Sequence, residues 1–319
     1  MLTEETSVGN ERALQKLKAQ LNLWRAASLV MIGIFIFNQF LFVDINLKSS
    51  TNIQTATNNN EAAATASVDQ LVAAVLPEAG VKLPAGWGNL GKQMVAAGVI
   101  NQSAFEEVYA SRGGLDAYSK NLLLAEANDQ LVINSQTAAV LLNLLWALGL
   151  GNKNPVLDQG LMQDPQYGGA GNFASTGGWT VASGDAMDHY SQHQFITLNS
   201  DQQALVERVA QNIYRPCCGN ATHFPDCNHG LAMLGLLELM AAQGVSEDDM
   251  YRVALQVNAY WFPDTYLTLA KYFSARGVSW PQVNAKEVLG SAYSSSQGYQ
   301  QILAEVEPVT SPGGGGCGV

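Results

Sequence analysis

An apolar run near the N-terminus constrains this chain more than any other sequence feature. Residues 26–43, AASLVMIGIFIFNQFLFV, form an 18-residue run interrupted only by Asn38 and Gln39. That length is near the lower limit for a helix that spans a bilayer. The chain continues with DINL, which carries no small-x-small cleavage pattern. The run therefore predicts an uncleaved transmembrane signal anchor, and a buried helix of a soluble domain is the less favoured alternative.

Basic residues around the run predict its orientation. Four precede it and one follows it closely: Arg12, Lys16, Lys18 and Arg25 on the first side, and Lys48 on the second. Lys and Arg accumulate on the cytoplasmic side of membrane spans. We therefore expect residues 1–25 in the cytoplasm and the bulk of a single-pass protein in an extracytoplasmic compartment.

The rest of the chain divides by composition. Residues 44–67 have no aromatic residue and little that could build a core, so they predict a flexible stalk. From 68 to 305 apolar residues recur every three or four positions, whereas alternating strand patterns are scarce. This pattern predicts an all-α globular helical bundle. Residues 306–319 are predicted to be a flexible Gly-rich tail.

Capping residues predict where several helices begin. Ser200 and Ser246 each precede a residue that would complete a capping box. Asn228 or Asp226 is expected to start a third helix, and Asp264 a fourth. The most apolar helix, expected at about 135–148, is predicted to run through the centre of the core.

A glycine-rich passage follows that central helix, at residues 158–188. Recurrent glycines exclude a regular helix there. The passage also contains Tyr167, Phe173 and Trp179, and disordered segments are poor in aromatic residues. The sequence therefore predicts a long ordered loop that packs against the domain.

Charge argues against one class of partner. The chain has 16 basic and 27 acidic residues, for a formal net charge of -11. Proteins that hold nucleic acid neutralise its phosphates with Lys and Arg. We therefore expect no nucleic-acid partner.

Cysteine and histidine are concentrated in one part of the sequence. The chain has four of each, and seven of these eight residues lie between positions 189 and 229. They are His189, His193, Cys217, Cys218, His223, Cys227 and His229. Four cysteines are too few for a disulfide-built scaffold. Thiolate and imidazole are, however, the ligands that soft and borderline metals prefer.

The densest part of this group is the Cys/His loop, residues 216–230. It predicts a site for a transition metal ion, Zn or Cu. The first choice of ligands is Cys217, Cys218, Cys227 and His229, and His223 is the second choice. His189 and His193 are additional candidates. The spacing matches no standard zinc finger, so residue type and proximity alone indicate the site.

Two other interpretations of the loop stay open. Cys227 lies at a predicted helix start, where the positive end of the helix dipole favours a thiolate, so it also suits a catalytic thiol with His223 or His229 as its base. Outside the cytoplasm it could instead form a disulfide with Cys217 or Cys218. Whether the protein is an enzyme is therefore undecided by the sequence.

The fourth cysteine lies in the sequence SPGGGGCGV at the end of the chain. A glycine tether would make Cys317 a mobile, exposed thiol. It could deliver or collect a metal at the Cys/His loop, or resolve a disulfide there. The alternative is an unstructured tail with an incidental cysteine.

Three functions follow from these features. The first is a membrane-anchored extracytoplasmic protein that captures or transfers a metal, with a metal-exchange or other protein partner. The second is a thiol-dependent oxidoreductase that uses Cys227. The third is a non-enzymatic scaffold with a structural zinc or disulfide clasp. Metal content and thiol reactivity distinguish them.

Overall fold

A computed structural model describes residues 66–311 of the chain. The predicted cytoplasmic segment, the anchor at 26–43, stalk residues 44–65 and Cys317 lie outside these residues. Within the described range, no helix combines the length and apolar character needed to cross a membrane.

Helices dominate the described region, which confirms the predicted mostly helical class. The α-helices are α1 (Val68–Val75), α2 (Leu90–Ala96), α3 (Gln102–Ala110), α4 (Ala117–Leu124), α5 (Ala138–Gly151), α6 (Pro155–Asp158), α7 (Ser200–Ala210), α8 (Asn228–Ala242), α9 (Glu247–Trp261), α10 (Pro263–Ser274), α11 (Ala285–Val288), α12 (Ser291–Ser294) and α13 (Ser296–Leu303). The strands are β1 (Val81–Gly86) and β2 (Gln130–Ile133).

The two strands are a feature that the sequence did not predict. They pair antiparallel, with Val81 opposite Ile133 and Gly86 opposite Gln130. Strand β1 contains Pro84, which cannot donate to a ladder, and β2 is only four residues long. Both features hide a strand from a pattern search. The class is therefore mostly α with one small sheet, not purely α.

Helices α5 and α8 form the centre of the core. Thirteen of the 14 residues of α5 are buried, as predicted for the central helix. The two helices run antiparallel with their backbones in contact at Gly149 and Gly235. A Cβ atom on Gly149 would lie 1.9 Å from the carbonyl oxygen of Leu231, and one on Gly235 would lie 2.5 Å from that of Leu145. Glycine at these two positions permits the close approach.

The glycine-rich passage packs against the domain, as predicted. The indole nitrogen of Trp146 in α5 donates to the carbonyl oxygen of Ser175 at 2.9 Å. Trp179 meets the same indole edge-on, with ring centroids 5.4 Å apart. The amide of Ser175 in turn donates to the carbonyl oxygen of Asp226 at 3.2 Å. The passage therefore connects the central helix to the Cys/His loop.

The helix starts agree with the predicted caps to within a residue or two. Ser246 caps α9 and accepts from the amide of Asp249, as predicted. Helix α7 is capped by Asn199 instead of Ser200, because Asn199 and Gln202 complete a capping box one residue earlier. Helix α10 begins at Pro263 instead of after Asp264, since proline suits the first helical position.

The first part of the predicted tail is held against α10. The amide of Val309 donates to the Thr268 hydroxyl at 2.9 Å, and the amide of Ser311 donates to the Asp264 carboxylate at 2.7 Å. Residues 306–311 therefore extend the ordered domain beyond residue 305. Residues 312–319 lie outside the described range.

Candidate metal centre

Backbone pairing turns the Cys/His loop back on itself. Tyr214 and Ala221 form an antiparallel bridge, and Thr222 donates from its amide to the carbonyl oxygen of Ile213 at 2.9 Å. Residues 215–220 therefore make the tip of a tight turn. The chain then leads through Pro225 into α8, with Cys227 as the cap residue. This path brings the two ends of the loop together.

Three cysteines meet at this point. The sulfur atoms of Cys217, Cys218 and Cys227 all lie within 4.8 Å of one another. The sulfur atoms of Cys217 and Cys227 are 3.5 Å apart. Two thiolates on one tetrahedral zinc, each with a Zn–S bond of about 2.3 Å, are roughly 3.8 Å apart. The sulfur positions therefore suit a shared ion, and the three cysteines are free thiols.

Access to the sulfurs is uneven. Cys217 is exposed, whereas Cys218 and Cys227 are half-buried. An ion or a partner thiol can therefore approach from the side of Cys217, while the other two sulfurs are backed by protein.

A buried arginine lies behind the sulfurs. The side chain of Arg215 is completely buried and pairs with Asp226, with 2.8 Å between Nη2 and Oδ1. The same nitrogen donates to the sulfur of Cys218 at 3.3 Å and to the carbonyl oxygen of Phe224 at 3.2 Å. Gly230 makes room for it, because a Cβ there would lie 3.0 Å from the guanidinium carbon. A fixed positive charge therefore faces the thiols.

Charges and hydrogen bonds separate the protonation states of two cysteines. The pKa of Cys227 is lowered by hydrogen bonds from the thiols of Cys217 and Cys218, although burial acts in the opposite direction. The charge of Arg215 and a hydrogen bond from the backbone amide of Gly230 lower it further. The reciprocal thiol contacts and burial raise the pKa of Cys217. The geometry therefore favours a thiolate at Cys227 and a thiol at Cys217.

Arg215 and its partner also respond to this charge. Burial opposes the charge of Arg215, but the negative charges of Cys227, Cys218 and Asp226 outweigh burial, and its pKa is raised. Burial raises the pKa of Asp226, whose carboxylate also accepts from the Asn220 amide at 2.9 Å. The guanidinium thus remains a permanent cation beside the sulfurs.

Neither histidine of the loop joins the sulfur group at the same range. Among the described residues, the one group of three or more ligand atoms within 4.8 Å of one another consists of the three cysteine sulfurs. The ring of His229 packs on Phe262, with centroids 4.4 Å apart. Its Nε2 and the Nδ1 of His223 are buried and find no hydrogen-bond partner within residues 66–311. Both rings therefore retain unused nitrogen atoms beside the loop.

Burial keeps these two rings uncharged. It lowers the pKa of His229 to about 4, and the nearby charge of Arg215 acts in the same direction. The same two causes lower the pKa of His223. Neutral imidazole is the form that binds metals.

The other two histidines form a separate pair. His189 Nδ1 and His193 Nε2 lie 3.1 Å apart, and the planes of the two rings are inclined by 26°. Burial and the neighbouring His189 lower the pKa of His193. The remaining predicted thiol, Cys317, lies outside the described residues.

A cleft adjoins the loop on the side of His223. Its volume is about 610 Å³. Its wall includes Glu207 and Gln211 from the end of α7, and Asp164 from the glycine-rich passage. This cleft gives solvent access to the face of the loop that carries His223.

Two residues of the site are not indicated by the pattern of cysteines and histidines. They are Arg215 and Asp226, and the sequence predicts Asp226 only as a helix cap. The signal was the position of a basic residue directly before PCC in the sequence. A cation adjacent to paired cysteines lowers thiolate pKa values, so this adjacency could have indicated the pair.

Comparison of this chain with known protein families, with curated proteins and with solved structures gives no match. Its function therefore has to be inferred from its own residues. What the geometry shows is a cluster of three cysteines that could hold a metal ion.

Proposed function

We propose that this chain is a membrane-anchored extracytoplasmic protein that binds Zn(II) or Cu(I) through Cys217, Cys218 and Cys227 and captures or transfers the ion. The observation that carries the proposal is the convergence of three sulfur atoms within 4.8 Å of one another. Thiolates select soft ions such as Cu(I), and they also bind Zn(II). The anchor and compartment are inferred from the apolar run at 26–43.

The charges around the sulfurs support an ion with thiolate ligands. Three thiolates crowded together repel one another, and a cation between them removes that cost. Arg215 is already held at 3.3 Å from the sulfur of Cys218. It offsets part of the charge that remains on a tris-thiolate complex. Because Arg215 is wholly buried, this compensation is screened little by solvent.

The number of ligands favours exchange over permanent storage. A closed structural zinc site uses four ligands, whereas three sulfurs leave one coordination position for another group. His229 and His223 offer buried nitrogens without partners, and in our proposal either ring supplies that group after a side-chain shift. Exposure of Cys217 provides the route by which an incoming ligand reaches the ion.

The proposed transfer step involves Cys317. The last residue that the structure describes is Ser311, whose amide donates to the Asp264 carboxylate at 2.7 Å. Asp264 lies two residues after Phe262, whose ring contacts His229. Cys317 is six positions after Ser311, and six residues of extended chain span about 20 Å. We propose that Cys317 approaches the three sulfurs from the position at which Ser311 is bound to Asp264, and that it exchanges the ion with a partner.

Metal analysis beside a thiol count tests the binding proposal. The full chain is purified under reducing conditions and loaded separately with Zn(II) and Cu(I). We expect one ion per chain and protection of three thiols from alkylation. Cys217→Ser, Cys218→Ser and Cys227→Ser should each lose most of the bound ion. Full metal loading in all three variants would refute the assignment of these ligands.

A second candidate function is thiol-disulfide exchange. The pKa of Cys227 is lowered, and its sulfur lies 3.5 Å from the sulfur of Cys217. Cys227 thiolate would attack a substrate disulfide and release one substrate thiolate. Deprotonated Cys217 would then attack the Cys227 sulfur, which releases the reduced substrate and leaves a Cys217–Cys227 disulfide. A metal-free protein that reduces a model disulfide with one fast-reacting thiol would favour this function.

A structural clasp would be favoured by a different result, in which Cys317→Ser neither removes the bound metal nor slows the exchange of that metal.

A further inference from the structure

The two histidines before α7 are held in a fixed mutual geometry. His189 Nδ1 and His193 Nε2 lie 3.1 Å apart. His189 Nε2 lies 3.1 Å from the carbonyl oxygen of Ser183. A carbonyl oxygen only accepts, so the proton of neutral His189 is on Nε2. The Nδ1 lone pair of His189 therefore points toward His193.

The backbone between the two rings is strained. Ser191 has φ of +56°, which within residues 66–311 is the single positive value outside glycine. This conformation is unfavourable for a residue other than glycine, because its Cβ lies too close to the following carbonyl oxygen. Such outliers concentrate at functional sites, where the surrounding structure holds them in place.

Several hydrogen bonds impose that conformation. The amide of Ser191 donates to the carbonyl oxygen of Leu150 at 2.8 Å, and its hydroxyl accepts from the amide of Asn154 at 3.1 Å. The amide of His193 donates to the carbonyl oxygen of Gly151 at 2.8 Å. The turn that aligns the two rings is thus fixed to the end of the central helix.

We propose that His189 and His193 form a second metal site, which binds a divalent ion of borderline softness such as Cu(II), Ni(II) or Zn(II) through His189 Nδ1 and His193 Nε2. Nitrogens bound at about 2.05 Å to one ion are roughly 2.9 Å apart at a right angle and roughly 3.4 Å apart in a tetrahedron. The observed 3.1 Å lies between these values. The ring centroids are 5.4 Å apart, so the two nitrogens face each other almost in line, and both rings turn toward a common point when they share an ion. Before binding, the single proton of neutral His193 is on Nε2 and bridges the rings. On binding, this proton moves to Nδ1, and the ion takes its place between the rings.

The surroundings of the pair match those of a metal site. The bond from His189 Nε2–H to a backbone carbonyl is the kind of outer contact that orients metal-binding imidazoles. His193 is half-buried, so water can reach the ion and complete its coordination. The nearby Asp185 and Asp188 side chains cap their own turn, and neither forms a three-ligand group with the pair. The site therefore has two protein ligands and an open side.

The test removes the thiols first, because Cu(II) oxidises cysteine. The probe is Cu(II) added to the full chain in which all four cysteines are serine, followed by electron paramagnetic resonance and competition with a chelator. We expect one Cu(II) whose spectrum shows coupling to two imidazole nitrogens. His193→Ala should weaken binding by more than about tenfold, since loss of even an outer-shell partner costs that much.

Two further variants keep the result interpretable. Gln192→Ala changes an exposed side chain in the turn between the two histidines and should leave binding unchanged. His189→Gln tests the second ligand if His189→Ala fails to fold, and should also lose one nitrogen coupling. Unchanged affinity in His193→Ala, or equal losses in Gln192→Ala and His193→Ala, would overturn the inference. Because the probe protein has no cysteine, either outcome leaves the proposed thiolate site untouched.

Discussion

Glu238 allows a sharp prediction because it is a carboxyl group inside the core. It lies on α8 with no exposed surface. It accepts from the Asn152 amide at 3.0 Å and from the amide of Asn154. Burial raises the pKa of Glu238 to about 8, although the hydrogen bonds from the two asparagine side chains act in the opposite direction. The group is therefore protonated in the native state at neutral pH.

The size of the effect follows from the two pKa values. The ordinary pKa of this carboxyl is 4.5, and the folded value is about 8. Between these values the native state binds a proton that the unfolded state has lost, so the free energy of unfolding falls as pH rises. Each pKa unit corresponds to about 1.36 kcal/mol. Glu238 alone should therefore make the protein about 5 kcal/mol less stable at pH 9 than at pH 4.

Urea unfolding of the reduced chain between pH 4 and pH 9 measures this dependence. Glu238→Gln cannot ionise, so the difference in unfolding free energy between wild type and variant should change by several kcal/mol across this range. The variant should be relatively more stable at high pH. Glu126→Gln, which removes an exposed carboxylate, controls for the loss of one negative charge. Parallel pH profiles for wild type and Glu238→Gln would show that Glu238 ionises normally and that the reasoning is wrong.

Three shorter predictions concern the core, the buried cation and the tail. Gly149→Ala should lower the free energy of unfolding in urea by at least about 3 kcal/mol, because its Cβ would lie 1.9 Å from a carbonyl oxygen of α8. Gly219→Ala is the control. The space around Gly219 is open, so this variant should change the free energy of unfolding by less than about 0.5 kcal/mol. Arg215→Met should cost about 3–5 kcal/mol by the same measurement, since it leaves a carboxylate without its partner, and no loss would mean that the ion pair contributes nothing. Cys317→Ser should keep the bound metal but slow its transfer to a chelator, and an unchanged rate would exclude a role for this thiol in exchange.

Local sequence patterns predicted much of the fold. The uninterrupted apolar stretch around Leu144 predicted a central helix, and 13 of 14 residues in α5 are buried. Aromatic residues in the glycine-rich passage predicted order, and Trp179 packs against the central helix. These features depend on residues close together in sequence. By contrast, β1 pairs with residues about 50 positions away, and Pro84 removes the signal that might have revealed it.

The candidate site also depends on contacts between residues that are distant in the sequence, which local patterns do not predict. Residue types alone placed cysteines and histidines in one ligand set, but the ring of His229 packs against Phe262 from α9's end instead of joining the three sulfurs at 4.8 Å. That contact depends on how two helices pack, which spacing does not encode. The role of Arg215 was hidden for the same reason. Its burial behind the sulfurs follows from the turn at 215–220 and from the absence of a side chain at Gly230.

The packing of α8 explains why one half of the sulfur cluster is fixed and the other adaptable. The backbone of α8 lies directly against that of α5 at Gly149 and Gly235, where a Cβ atom would overlap a carbonyl oxygen of the other helix. Cys227, the residue that caps α8, inherits that position. Cys217 lies on an exposed turn, where a small shift changes its distance to Cys227 without disturbing the core. In the proposed transfer function, the thiolate of Cys227 at the helix start would hold the ion, and an incoming ligand would reach the ion from the exposed side of Cys217. A purely structural clasp does not need that exposed side.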